Sequence, residues 1–144
     1  MKPKRLEIVL IEDNPADVIL ARMTLDEAGD GEVSCGYRLT VLTDGARALD
    51  YFEDDGNPRP DLVILDLNLP KVHGFDVLET VRKRANCKDL EVIILSSSQS
   101  KVERERARIL GVREYFHKPN SLPGYQELAS KGRAIGRELV ARMR

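Results

Sequence analysis

Five short apolar runs alternate with segments of helical periodicity, and this alternation constrains the fold more than any other feature of the 144-residue chain. Three of the runs are rich in Val and Ile and scarcely alternate with polar residues, which is typical of strands buried on both faces. Alternating strands and helices favour βαβ units with right-handed crossovers and a parallel sheet covered by helices on both faces. The runs cover residues 6–11, 39–42, 62–65, 92–95 and, more weakly, 115–116.

Helix start and stop signals fill the intervals between the runs. Asn14 precedes Pro15, so a capping side chain stands before a proline at the first helical position. Ser100 and Glu103 have the spacing of a capping box, in which each side chain bonds to the other residue's backbone N–H. The sequence therefore predicts helices over residues 14–29, 46–52, 74–84 and 100–111, and a basic last helix from about residue 123.

Composition limits the classes of function. The net charge is −1, so the whole chain has no strong attraction to nucleic acid or anionic membranes, although residues 118–144 hold six Lys or Arg against two Glu. No apolar run approaches the length of a membrane span, and the N-terminal run is too short for a signal peptide. Cys35 and Cys87 have no metal-like spacing and are expected to be reduced thiols. We expect one cytoplasmic domain over residues 1–144.

Polar residues follow four of the five runs, at the end where an open α/β sheet binds its ligands. Glu12 and Asp13 follow the first run, Asp66 the third, Ser96 the fourth and Lys118 the fifth. Clustered carboxylates repel one another unless a cation is present, and Mg²⁺ prefers oxygen ligands. A lysine is redundant for binding Mg²⁺ alone but suits a second anion. The set therefore predicts a phosphoryl site in which an Asp is the nucleophile.

These motifs resemble the receiver domain of two-component response regulators. The matching stretches are IVLIEDNPAD, TDGARALDYF, DLVILDLNLPKVHG, VIILSSS and LGVREYFHKP, and the resemblance extends over nearly the whole chain. The spacings from Asp66 to Ser96 and from Ser96 to Lys118 are those of typical receivers. The resemblance implies a flavodoxin-like, doubly wound, five-stranded parallel sheet in the order 2-1-3-4-5, with five helices on its two faces.

The same resemblance implies a metal site and a phosphoacceptor. Asp66 would accept a phosphoryl group from a sensor histidine kinase while Mg²⁺ is bound. Asp13 would contact the metal directly and Glu12 through a water molecule, whereas Asn68 would offer its backbone carbonyl. The chain would then catalyse only its own phosphoryl transfer and dephosphorylation, and would be no enzyme acting on other substrates.

The resemblance assigns the remaining roles to the fourth and fifth strands. Ser96 would donate its hydroxyl to the phosphoryl group, Lys118 would hold a phosphate oxygen, and Tyr115 would be the switch aromatic. The Lys118–Pro119 peptide would be cis. Output would pass by protein contact, to a downstream partner or to a second copy of the chain, through the fourth helix, the fifth strand and the fifth helix.

Within the family, the loop over residues 30–36 and the LSSS stretch resemble phytochrome-associated receivers, which implies a phytochrome-like kinase.

Some features keep two interpretations. Ser97 and Ser98 either control the access of water or are simple turn residues, and Gly132 with Gly136 indicates either close approach of a second copy or local packing. His73 is expected to be an exposed loop residue.

Three other classes of protein stay open at this point. A phosphatase of the haloacid-dehalogenase class also uses an Asp nucleophile, but it needs a general acid two residues later, where this chain has Asn68. A pseudo-receiver would have a dead site, against which the intact set of acids, hydroxyl and lysine argues. A flavodoxin would need a phosphate-cradling loop after the first strand, where Glu12 and Asp13 would repel a phosphate.

Overall fold

The computed structural model of the chain describes residues 6–29, 37–98 and 100–142. Five strands lie in this part of the chain, namely β1 (Leu6–Ile11), β2 (Tyr37–Leu42), β3 (Leu62–Asp66), β4 (Val92–Ser96) and β5 (Glu114–His117). They pair in parallel as one sheet in the order β2-β1-β3-β4-β5, which confirms the predicted topology.

Helices cover both faces of this sheet, as predicted. They are α1 (Pro15–Gly29), α2 (Gly45–Glu53), α3 (Gly74–Arg82), α4 (Lys101–Ile109) and α5 (Leu122–Arg142). A short 3₁₀-helix, Ala85–Cys87, was not predicted from the sequence. Side chains of α1 and α5 belong to the hydrophobic cluster on one face, and side chains of α2, α3 and α4 to the cluster on the other.

The central strands are buried on both faces, which explains why their apolar runs do not alternate. In β1, Ile8 and Leu10 pack on the side of α1 and α5, whereas Val9 and Ile11 pack on the side of α2, α3 and α4. All four side chains are at most 2% exposed. Burying such a side chain contributes about 1.5–3 kcal/mol, so the strands form a rigid support for the residues at their carboxyl ends.

The predicted caps are formed at α1 and half formed at α4. The side chain of Asn14 accepts a hydrogen bond from the backbone N–H of Ala16 at 2.9 Å. At α4, Ser100 Oγ accepts from the N–H of Glu103 at 3.3 Å. The second hydrogen bond of the predicted capping box runs from the N–H of Ser100 to the side chain of Glu103. That prediction is wrong, because the N–H of Ser100 donates instead to Ser98 Oγ at 3.1 Å.

The Lys118–Pro119 peptide is trans, since the described residues contain no cis peptide bond, and the expectation of a cis bond is therefore wrong. The two forms of a bond before proline differ by only about 0.5–1 kcal/mol, so the dipeptide itself selects neither strongly. Its surroundings decide the form, and a resemblance of motifs does not fix those surroundings.

Two predictions fall outside what the structure describes. The loop over residues 30–36, which includes Cys35, is one of them, and the surroundings of Gly132 in α5 are the other. The pair of Gly132 with Gly136 therefore stays a prediction. None of the helices in the described part of the chain combines the length and the apolar character that crossing a bilayer requires.

Candidate functional site

Three carboxylates meet at the carboxyl edge of the sheet because β1 and β3 are neighbours in register. Ile11 pairs with Leu65, so the next residue of each chain segment, Glu12 and Asp66, comes to the same edge. One carboxylate oxygen from each of Glu12, Asp13 and Asp66 lies within 4.8 Å of the others. Glu12 and Asp66 are only 1% and 3% exposed, whereas Asp13 is exposed.

Lys118 reaches this cluster from the end of β5. Its Nζ lies 3.0 Å from Glu12 Oε2, 3.0 Å from Asp17 Oδ2 and 3.2 Å from Asp66 Oδ2. Its backbone N–H donates to the carbonyl of Ser96 at 2.7 Å, which fixes the start of the side chain beside β4. The structure thus brings the predicted acids and the predicted lysine together.

Asp17 is a member of this cluster that sequence reasoning missed. It lies in the first turn of α1, the helix that begins directly after the acidic pair at the end of β1. An acid in the first turn of a helix is ordinarily explained by the helix dipole, so nothing in the sequence demanded another partner. The sequence did offer one signal for its role, because Asp17 lies within one helical turn of the acidic pair that was predicted to belong to the site.

Burial and the neighbouring charged groups shift the pKa values of two members of the cluster. Burial raises the pKa of Glu12 from its usual 4.5 to about 7, although hydrogen bonds from Lys118 and from the N–H of Asn14 act in the opposite direction. Burial on its own lowers the pKa of Lys118, but hydrogen bonds to Glu12 and Asp17, with the charge of Asp66, raise it overall. Lys118 is therefore a permanent cation at neutral pH.

The donors of the cluster suit a hard divalent cation. Glu12, Asp13 and Asp66 offer only oxygen atoms, the ligands that Mg²⁺ takes, and they lie close enough to share one ion. A single ammonium faces several carboxyl groups, so additional positive charge is favourable here. The three residues therefore fit a bound divalent metal.

The loop after β3 is held against the cluster by Asn68. Its backbone N–H donates to Asp66 Oδ1 at 3.1 Å, and its side-chain Nδ2 donates to Ser97 Oγ at 3.0 Å. The position of the Asn68 backbone carbonyl as a metal ligand stays a prediction. A Cβ atom on Gly74 would lie 2.7 Å from Leu67 Cα, so only glycine lets α3 begin this close to β3.

His73 caps the helix that leaves this loop. It is exposed, as predicted, and its Nδ1 accepts a hydrogen bond from the N–H of Phe75 at 3.1 Å. The two rings also stack, with centroids 5.7 Å apart and planes at 24°. The sequence did not predict this cap because the usual capping residues are Ser, Thr, Asp and Asn.

Ser96 and Tyr115 meet on a residue that the sequence did not place in the site. Ser96 is fully buried, and its Oγ donates to Glu103 Oε1 at 2.6 Å. The half-buried Tyr115 places its hydroxyl 2.5 Å from the same Glu103 oxygen and 3.1 Å from the carbonyl of Ser98. Burial and the hydrogen bond to Glu103 both raise the pKa of Tyr115, so its hydroxyl keeps its proton at neutral pH.

Ser97 and Ser98 serve the turn after β4. Ser97 accepts from Asn68 through its hydroxyl, and its carbonyl lies 3.1 Å from His117 Nε2. Ser98 donates its N–H to Ser96 Oγ at 3.1 Å. These hydrogen bonds favour the interpretation of both serines as turn residues.

Comparison with known proteins places the chain in a family. The family model of the response regulator receiver domain matches residues 8–128. The probable methanogenesis regulatory protein FilR2 of Methanothrix harundinacea is 35% identical over 117 residues, which cover 79% of this chain and 72% of that protein. The response regulator Rcp1 of Synechocystis is 31% identical over 119 residues, which cover 80% and 78% of the two chains.

Solved structures agree with the sequence comparison. The Mn²⁺-bound form of Rcp1 superposes with a TM-score of 0.75 at 29% identity, covering 90% of this chain and 91% of that one. The phosphorylated cyanobacterial phytochrome response regulator RcpA superposes with a TM-score of 0.73 at 29% identity, covering 91% of each chain. With its sheet order and its edge cluster of acids and lysine, this chain belongs to the response regulator receiver domain family.

Proposed function

We propose that the chain accepts a phosphoryl group on Asp66 from a phosphohistidine of a sensor histidine kinase. A carboxylate oxygen of Asp66 attacks phosphorus, the P–N bond to the imidazole breaks, and the imidazole recovers a proton as it leaves. The observation that carries the proposal is the convergence of Asp66, Glu12 and Lys118 on one sheet edge, with Asp66 Oδ2 only 3.2 Å from Lys118 Nζ.

Each residue of the edge has a part in this transfer. Lys118 exchanges its contact with Asp66 for a phosphoryl oxygen, which needs only a small movement of a flexible side chain. Ser96 donates its hydroxyl to another phosphoryl oxygen. Glu12, Asp13 and Asp66, with the backbone carbonyl of Asn68, hold Mg²⁺. When bound, the ion neutralises the charge that develops on the phosphoryl oxygens.

The partners follow from this role. The likeness to the phosphorylated cyanobacterial phytochrome response regulator RcpA supports a phytochrome-like sensor kinase as the donor. Phosphorylation signals through α4, β5 and α5, by contact with a downstream protein or with a second copy of the chain. We propose a cytoplasmic location for the chain. The proposal includes no contact with nucleic acid or membrane and no chemistry beyond the chain's own phosphorylation and dephosphorylation.

Intact mass spectrometry after incubation with acetyl phosphate and Mg²⁺ tests the proposal. The wild-type protein is expected to gain one phosphoryl group and the Asp66→Asn variant none. A wild-type protein that stays unmodified, or a variant that is modified equally, would contradict it. Turnover of small phosphomonoesters would instead favour a phosphatase, a reaction for which Asn68 provides no general acid.

A further inference from the structure

One oxygen of Glu103 joins three elements of the fold. Glu103 Oε1 accepts from Ser96 Oγ at 2.6 Å and from the hydroxyl of Tyr115 at 2.5 Å. Ser96 ends β4, Tyr115 lies in β5, and Glu103 lies in the first turn of α4. The first turn of α4 is therefore tied to the edge of the sheet through a single carboxylate.

Helix capping does not explain the position of this carboxylate. In a capping box, Glu103 would turn back to the N–H of Ser100. That N–H donates to Ser98 Oγ at 3.1 Å instead, and Ser100 caps the helix through its own hydroxyl. The side chain of Glu103 points to Ser96 and Tyr115, although its neighbours Arg104 and Glu105 are exposed.

The single hydroxyl proton of Ser96 allows this side chain to donate to only one acceptor at a time. A serine hydroxyl donates one proton, and Ser96 gives it to Glu103, while its oxygen accepts from the N–H of Ser98 at 3.1 Å. Donation from Ser96 to a phosphoryl oxygen on Asp66 therefore requires that the bond to Glu103 be broken. The two acceptors compete for one proton.

We propose that Glu103 is a positioning residue that holds Ser96 away from the phosphoryl group and couples it to Tyr115. The proposal rests on the proposed function of Asp66. When Ser96 donates its hydrogen bond to the phosphoryl group instead, Glu103 keeps only the hydrogen bond from the hydroxyl of Tyr115. The tie between α4 and β4 is then broken, and Arg104, whose guanidinium lies 4.9 Å from the centre of the Tyr115 ring, moves with the same turn.

The affinity for beryllofluoride, a phosphoryl analogue, tests this competition in the presence of Mg²⁺. The Glu103→Ala variant is expected to bind the analogue about tenfold more tightly, because the competing hydrogen bond to a charged acceptor is lost. Glu103→Gln, which keeps an acceptor but no charge, is expected to fall between this variant and the wild type. Glu105→Ala is the matched control in the same helix, since Glu105 pairs with the exposed Arg108.

The Ser96→Ala background separates positioning from a purely structural effect. In that background Glu103→Ala is expected to change the affinity little, because no serine proton is left to compete for. The Mg²⁺ affinity without the analogue is expected to stay unchanged in Glu103→Ala. Equal binding by Glu103→Ala and Glu105→Ala, or the same gain with and without Ser96, would overturn the proposal.

The outcomes also separate this proposal from the proposed function. A wild-type protein that binds no beryllofluoride with Mg²⁺ overturns both. A wild-type protein that binds the analogue and is phosphorylated, while Glu103→Ala behaves like the control, overturns the role of Glu103 alone.

Discussion

The ammonium of Lys118 lies 3.2 Å from Asp66 Oδ2 and is shared with two other carboxylates, those of Glu12 and Asp17. One cation thus balances three acids at the edge of the sheet, two of which are buried and one half-buried. This arrangement stabilises the site before metal or phosphate arrives, and it places the lysine beside the oxygen that we propose as the nucleophile.

Replacing Lys118 by Met should destabilise the metal-free protein and make its stability depend strongly on Mg²⁺. Removing one partner of a buried ion pair costs about 3–5 kcal/mol, because the remaining charges lose their compensation. A bound divalent cation would then restore much of the loss. Urea unfolding with and without Mg²⁺ measures both effects, with Lys88→Met, at an exposed position, as the control. A loss equal to that of the control would contradict the role of Lys118.

The stability of the metal-free protein should fall as the pH rises toward 7. Burial raises the pKa of Glu12 to about 7 from 4.5, so between these values the folded protein binds a proton that the unfolded chain has released. The stabilisation is therefore complete below about pH 4.5 and is lost as the pH passes the folded value. Chemical unfolding across this range measures it, and Glu12→Gln should flatten the profile.

The same proton must leave before Glu12 can serve a metal. The Mg²⁺ affinity of the wild-type protein should therefore rise by about tenfold per pH unit below 7 and level off above it. Calorimetric titration at several pH values measures this dependence. A wild-type affinity that does not vary between about pH 5.5 and pH 7 would be inconsistent with a protonated Glu12.

His73→Ala should lower the free energy of unfolding by about 0.5–1 kcal/mol, the usual effect of losing an N-cap. His73→Asn should lose much less, because its side chain can accept the same hydrogen bond from the N–H of Phe75. Denaturant unfolding of the two variants measures the difference. Equal losses would show that the ring stacking on Phe75, and not the cap, carries the effect.

Arg82→Met should be among the most destabilising changes outside the core. The guanidinium of Arg82 donates to the backbone carbonyls of five residues, Cys87, Lys88, Leu90, Leu110 and Gly111. The free energy of unfolding is expected to fall by about 3 kcal/mol or more, because a planar guanidinium that hydrogen-bonds to two loops is replaced by an apolar side chain. Arg82→Lys should recover little of it. Unfolding of both variants beside Lys83→Met, an exposed neighbour, provides the comparison.

The architecture followed from sequence because the signals for the strands were strong. The run over residues 6–11 matched β1 at both ends, and the order of the sheet, which the resemblance to receiver domains implied, was correct. The other strands are longer than their runs where polar residues continue them, as Asp66 does in β3 and Ser96 in β4. A count of apolar residues stops too early at such positions, because the functional side chains stand at the strand ends.

The grouping of Glu12, Asp13, Asp66 and Lys118 followed from their positions at the carboxyl ends of the strands, whereas the partners supplied by helices could not be predicted in this way. Asp17 and Glu103 each had a sufficient local explanation, the helix dipole for one and the capping box for the other. Which side a helical side chain faces depends on how the helix packs, and neither motif encodes that packing. The trans peptide at Lys118–Pro119 was missed for a similar reason, since its form depends on its surroundings.

Mapping the phosphorylated residue tests the central claim most directly. After incubation with acetyl phosphate and Mg²⁺, borohydride reduction converts an aspartyl phosphate to homoserine, which tandem mass spectrometry locates within a tryptic peptide. The peptide of residues 48–71 contains Asp66 together with Asp50, Asp54, Asp55 and Asp61, so it provides its own internal controls. We predict homoserine at position 66 alone, and homoserine at another aspartate, or none in a protein that has gained a phosphoryl group, would contradict the account.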